Sequence, residues 1–169
     1  DQTGGQLNTV EGNALWNCGE AIQVVSDALV RNNLILNSDQ GVTATPHGQV
    51  PVMRNVTIVH NTISGHAGNC MQINWGSASN MTLAGNAIYC AGTTAIAGGA
   101  GLIGAAVSAK YISGSLWGGT IDDDAFFAGG TASAAFVDPS AMDFWPAAGS
   151  SLIGAADFAL TPPTDFNGT

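Results

Sequence analysis

A short phrase built on an asparagine and an isoleucine recurs three times along the chain. It reads VRNNLI at Val30–Ile35, VHNTI at Val59–Ile63 and AGNAI at Ala84–Ile88. Aligned on the asparagine, Asn33, Asn61 and Asn86 form one column, and Ile35, Ile63 and Ile88 form another two residues on. The intervals are 28 and 25 residues. A strand-like phrase returning at such a period predicts a solenoid, in which each repeat is one coil stacked in register on the last. Stacked strands lie ~4.8 Å apart, so the asparagines fall one above another at a corner. There an asparagine tolerates left-handed backbone angles and can bond its amide to the coils on either side.

Three sets of strands fit this scheme. The first holds Ala21–Val25, Val42–Thr45, Met71–Trp75 and Ala95–Ala97. The second holds Ala28–Arg31, Asn55–Val59 and Asn80–Ala84, and the third Leu34–Leu36, Thr62–Ser64 and Ala87–Tyr89. Alternation turns Val30, Ile58, Leu83 and the isoleucine column inward. Composition agrees. Gly occurs 23 times, and charged residues make up only 9% of the 169. That suits short strands and tight turns better than helices.

Twelve acids face three bases, Arg31, Arg54 and Lys110, for a net charge of −9. This excludes ordinary nucleic-acid binding, which displaces counterions with Lys and Arg. It also opposes an anionic polysaccharide unless a cation offsets the repulsion. No apolar run approaches the ~20 residues of a membrane span. The chain opens on Asp1 without a methionine or a signal-peptide pattern, and we read it as a mature or excised piece of something longer.

The phrases NVTIVHNTIS and NMTLAGNAIY resemble coils of right-handed parallel β-helix proteins of the pectate-lyase-like superfamily. The resemblance covers Ala14 to Ala97. It implies an all-β, single-stranded right-handed parallel β-helix with a C-terminal cap. Residues 1–133 would be coils and loops, and 134–169 the cap and tail of the same domain. The stretch AAFVDPSAMDFWPAAGSSLIGAAD resembles the segment that closes bacterial members, with its F-x-D-P opening. By the same resemblance the protein is expected outside the cell or at the cell surface, as a lyase, epimerase or hydrolase acting on polysaccharide. The alternative is a non-catalytic adhesin or assembly solenoid. The N-terminal end lacks a cap, so upstream coils or another chain are expected to pair there.

Lyase chemistry needs a base at the sugar C5 proton and neutralisation of the uronate, which makes Arg31 and Arg54 candidates. Thr45-Pro-His-Gly resembles the Asp-Pro-His motif of alginate epimerases, with Thr45 in place of the acid, so His47 is a candidate base. Asp39, His47, His60 and His66, with Gln49 and Gln72, make the densest cluster of such groups. Gln23, Gln72 and Asn74 point outward if Met71, Ile73 and Trp75 point inward, and amides beside an aromatic suit sugar hydroxyls. Asp122, Asp123 and Asp124 are the candidates for calcium. Trp16, Trp117, Phe126, Phe127, Phe144 and Trp145 would either form a sugar platform or anchor loops to the solenoid. The three Asn-x-Thr sequons at Asn55, Asn80 and Asn167 carry little weight, because two sit in packed strands. Cys18, Cys70 and Cys90 lack metal spacing. They are either free thiols or include a Cys70–Cys90 bridge across one corner.

Overall fold

The computed structural model describes residues 6–65, 67–75, 78–98, 106–116, 136–150, 152–155 and 160–165; at 90–95, 98 and 106–116 only the backbone is described. Three coils run β1 (Asn8–Glu11), β2 (Ala14–Trp16), β3 (Glu20–Val24); β4 (Ser26–Arg31), β5 (Leu34–Leu36), β6 (Gln40–Ala44); and β7 (Arg54–Val59), β8 (Thr62–Ser64), β9 (Met71–Ile73). In the next coil the three expected strands are one continuous strand, β10 (Ser79–Gly98). It bends through its corners while pairing in turn with β7, β8 and β9. Strand β11 (Ala106–Leu116) pairs with β10 on its other side. All these pairings are parallel. The result is a parallel β-helix with three sheets. The first holds β3, β6, β9 and the end of β10, the second β1, β4, β7 and the start of β10, and the third β2, β5, β8 and the middle of β10.

Register explains the core. Val30, Ile58 and Leu83 are partners on the second sheet, Ile35, Ile63 and Ile88 on the third, and Val42, Met71 and Ile96 on the first. All nine are fully buried. Like residues stack on like, so each coil presents its neighbour with a surface of the same shape. Burying a side chain of this size contributes about 1.5–3 kcal/mol.

The asparagine column is a hydrogen-bonded ladder inside the corner between second and third sheets. The Asn33 backbone N–H and Nδ2 both donate to Asn61 Oδ1, at 3.1 and 2.9 Å. Asn61 donates in the same way to Asn86 Oδ1, at 3.0 and 2.9 Å. Each amide also donates to the carbonyl two residues back and to one on the preceding coil: Asn61 Nδ2 reaches Val59 O and Val30 O, both at 3.1 Å. The expected left-handed angles fall one residue earlier than the ladder. Gly12, Asn32, His60 and Gly85 have φ of 68°, 54°, 54° and 62°. The left-handed residue makes the turn, and the asparagine after it is thereby aimed into the interior.

The corner between first and second sheets has its own column, Asp27, Asn55 and Asn80, with φ of 50°, 53° and 54°. Asn80 Nδ2 donates to Asn55 Oδ1 at 2.9 Å, and Asn55 Nδ2 to Asp27 Oδ1 at 2.7 Å. The Asn55 bond is the main reason the Asp27 carboxyl titrates below its usual 3.8; burial opposes this, and the Ser26 hydroxyl and Arg54 assist. A carboxyl depressed in the folded state adds stability above its unfolded value, about 3.9. That contribution is lost as pH falls through the folded value. Asp27→Asn should therefore flatten the acid limb of the unfolding midpoint below about pH 4. Urea titrations of both proteins across that range check it, and parallel acid limbs would disprove it.

Past the coils, β12 (Phe136–Asp138) and β13 (Asp143–Pro146) form an antiparallel hairpin around a short 3₁₀ turn, Pro139–Ala141. The F-x-D-P phrase has a part for each residue. Phe136 is 1% exposed and packs on Ala87, Tyr89, Phe144 and Leu152. Asp138 Oδ1 accepts the N–H groups of Ser140 and Ala141 and caps the turn, and Pro139 begins it, where a missing N–H costs nothing. The described residues of this segment lie along the flank of the third sheet, where Ala87 and Tyr89 give Phe136 an apolar seat.

Candidate functional site: a cleft between the hairpin and the ladder corner

On the outer face of the first sheet, Gln23, Thr43 and Gln72 are register partners on successive coils. Gln23 is exposed, Gln72 half-buried and Asn74 exposed, while Met71, Ile73 and Trp75 are buried. Thr43, between the two glutamines, was not singled out from the sequence; its buried hydroxyl donates to Gln40 Oε1 at 3.1 Å. The row is polar and shallow.

The proposed histidine and acid cluster is dispersed over three corners. Asp39 sits between third and first sheets, where its carbonyl accepts the Gly68 N–H. His47 lies in the exposed loop between β6 and β7, in a turn closed by paired backbone bonds with Val50. Its Nδ1 accepts the Gln49 N–H at 3.5 Å. His60 is at the ladder corner, and His66 lies outside the described residues. Residues close in sequence are parted because each corner turns the chain onto a different sheet.

Both arginine candidates are paired to carboxylates of the preceding coil. Arg31 Nη2 donates to Glu11 Oε2 at 3.0 Å, with Nε 2.8 Å from Glu11 Oε1. Arg54 Nη2 donates to Asp27 Oδ2 at 3.2 Å. Among the described residues no three His, Cys, Asp or Glu side chains gather as metal ligands. Asp122, Asp123 and Asp124 lie outside those residues, as do Trp117, Phe126 and Phe127. Cys70 is disulfide-bonded and Cys18 is a free thiol; the Cys90 side chain lies outside the description. The bridge to Cys90 remains our expectation, so thiol titration should find one reactive group in native protein and three after reduction and denaturation. Three in both states would rule the bridge out.

A cleft of about 520 Å³ lies between hairpin and solenoid. Asn32, Leu34, His60 and Thr62 form its floor, and Met142, Asp143, Phe144 and Trp145 one wall, with Asp165 at the side. The floor follows from the corner geometry: Asn32 and His60 are the left-handed residues, set outward where their ladder neighbours are set inward. Asn32 Nδ2 also donates to the Thr164 carbonyl at 2.6 Å, tying the C-terminal segment to the corner. In the wall, Phe144 meets Phe136 edge-on at 5.1 Å between centroids, so it anchors the hairpin. Trp145 is 54% exposed and lines the cleft. Asp143 Oδ1 accepts the Trp145 backbone N–H at 3.2 Å, which fixes the turn beneath that ring. Among the described residues the ionisable lining is His60, Asp143 and Asp165, with no Lys or Arg.

Of the sequence candidates among the described residues, His60, Phe144 and Trp145 meet here. Asn32 and Met142 have no local signal, while Asp143 and Asp165 stand in the Asp-Phe and Asp-x-x-Gly phrases of the closing segment; the doublet Asn32–Asn33 repeats only at its second member.

The parallel coils, the interior ladder and the stacked isoleucines define a solenoid of the β-helix class. The sequence matches the right-handed β-helix region family over residues 2–88, just over half of the chain, and the protein belongs to that family. No curated protein and no solved structure matches it significantly.

Proposed function

We propose that this β-helix is a polysaccharide-associated protein that binds neutral sugars in the cleft beside the ladder corner, and acts by binding rather than by lyase chemistry. The observation that carries this is the pairing of an exposed indole, Trp145, with hydrogen-bonding groups at Asn32, His60 and Thr62 across one open cleft of about 520 Å³. A sugar ring presents an apolar face to an aromatic and hydroxyls to polar groups, and a cleft of this size suits a small saccharide. The described lining holds two carboxylates and no Lys or Arg, and the net charge is −9, which disfavours uronates, whose carboxylates would meet Asp143 and Asp165. Arg31 and Arg54, each held by a carboxylate, are poor bases for C5 proton abstraction. The Cys70 disulfide supports export to an oxidising compartment.

Calorimetric titration with neutral gluco- and manno-oligosaccharides and with oligouronates tests the reading. Neutral sugars should bind, uronates should bind at least tenfold more weakly, and Trp145→Ala should lose about tenfold or more, equivalent to about 1.4 kcal/mol. A preference for uronates, or unchanged affinity in Trp145→Ala, would overturn it.

A further inference from the structure

A second, smaller cleft of about 220 Å³ adjoins the first. The two share His60, Thr62 and Phe144. Their floors belong to successive coils: Asn32 and Leu34 on one, His60 and Thr62 on the next, Gly85 and Ala87 on the third. The smaller cleft therefore continues the larger along the solenoid axis, beneath the hairpin, with Leu152 and Ala155 closing its far wall. Gly85 contributes no side chain to the floor beyond His60.

Resting on the sugar-binding reading above, we infer that the two clefts are adjacent subsites for one linear neutral oligosaccharide that runs along the axis, with His60 at the junction. The first cleft holds two units, one of them on the ring face of Trp145, and the third lies against the apolar wall of Phe144 and Leu152. Such a site recognises an internal stretch of a chain more tightly than a short fragment, because the second cleft contributes only when a longer ligand reaches it.

The test is a length series of β-1,4-linked gluco- and manno-oligosaccharides, from the disaccharide to the hexasaccharide, titrated against the full chain and against Ala155→Trp, which fills the second cleft. In the unaltered protein affinity should rise at least tenfold along the series. In Ala155→Trp the rise should vanish while disaccharide affinity stays within about twofold, which also reports that the variant is folded. Radical footprinting should show Leu152 protected by the hexasaccharide and not by the disaccharide. Binding without length dependence, or a rise that persists in Ala155→Trp, overturns the two-subsite arrangement and leaves the sugar-binding reading standing. No binding by any of the sugars overturns both.

Discussion

Asn61→Ala should destabilise the protein by on the order of 4 kcal/mol, since each buried polar group stranded without a partner costs about 1–3 kcal/mol. Asn61 is 1% exposed and stands in the middle of the ladder. Removing its amide deprives the Asn33 N–H and Nδ2 of their acceptor and the Val30 and Val59 carbonyls of a donor. Water cannot substitute, because the neighbouring positions are filled by Ile58, Ile63 and Leu83, all fully buried. The comparison that isolates the effect is Asn13→Ala. Asn13 is exposed and donates to Asn33 Oδ1 through its N–H and Nδ2, so its loss should cost below about 1 kcal/mol. Urea unfolding of the two variants measures both. Equal costs would mean that the ladder is a by-product of stacking and not a support for it.

Phe136→Ala should cost about 3–5 kcal/mol, the usual range for deleting a buried aromatic, and the loss should be localised. Phe136 is the buried residue at the centre of the contact between hairpin and third sheet, with Phe144 and Leu152 packed around it. Without it, the hairpin retains two short antiparallel strands and the Asp138-capped turn, too little to stay folded alone. The coils keep their own core. Limited proteolysis should then cut within residues 136–146 long before it reaches the coils, and sugar binding should disappear because Trp145 loses its position. Uniform destabilisation of coils and hairpin together would show that the hairpin is integral to the solenoid.

The parts of this protein that repeat are legible in the sequence, and the cleft beside the hairpin is not. Asn33, Asn61 and Asn86 with their isoleucines announce themselves because stacking demands the same residue at the same place in every coil. Asn13 escaped notice for a physical reason. Its coil is shorter, 20 residues before Asn33 where the later rungs are 28 and 25 apart, and Leu15 stands where the others have isoleucine. Its phrase, Gly12-Asn13-Ala14-Leu15, is nonetheless close to Gly85-Asn86-Ala87-Ile88 and carries the signal. The cleft has no period to reveal it. Asn32 and the Thr164 carbonyl it reaches are 132 residues apart, and only the return of the C-terminal segment along the flank brings them together. Reading His47, His60 and Asp39 as a cluster failed because proximity in sequence is a poor guide where every few residues the chain turns onto another sheet.

The left-handed position ahead of each ladder asparagine separates two demands that most folds place on the same residues. Its backbone angle is dictated by the turn, but its side chain leaves the solenoid. Glycine, asparagine and histidine all occupy it here, at Gly12, Asn32, His60 and Gly85. At Gly12 an added Cβ would meet nothing within 4 Å, and asparagine adopts the required angle at modest cost. The corner thus works as a vertical row of interchangeable sockets, one per coil, set beside an interior that has no latitude. Selection can rewrite what the flank presents, coil by coil, without reopening the question of how the chain folds.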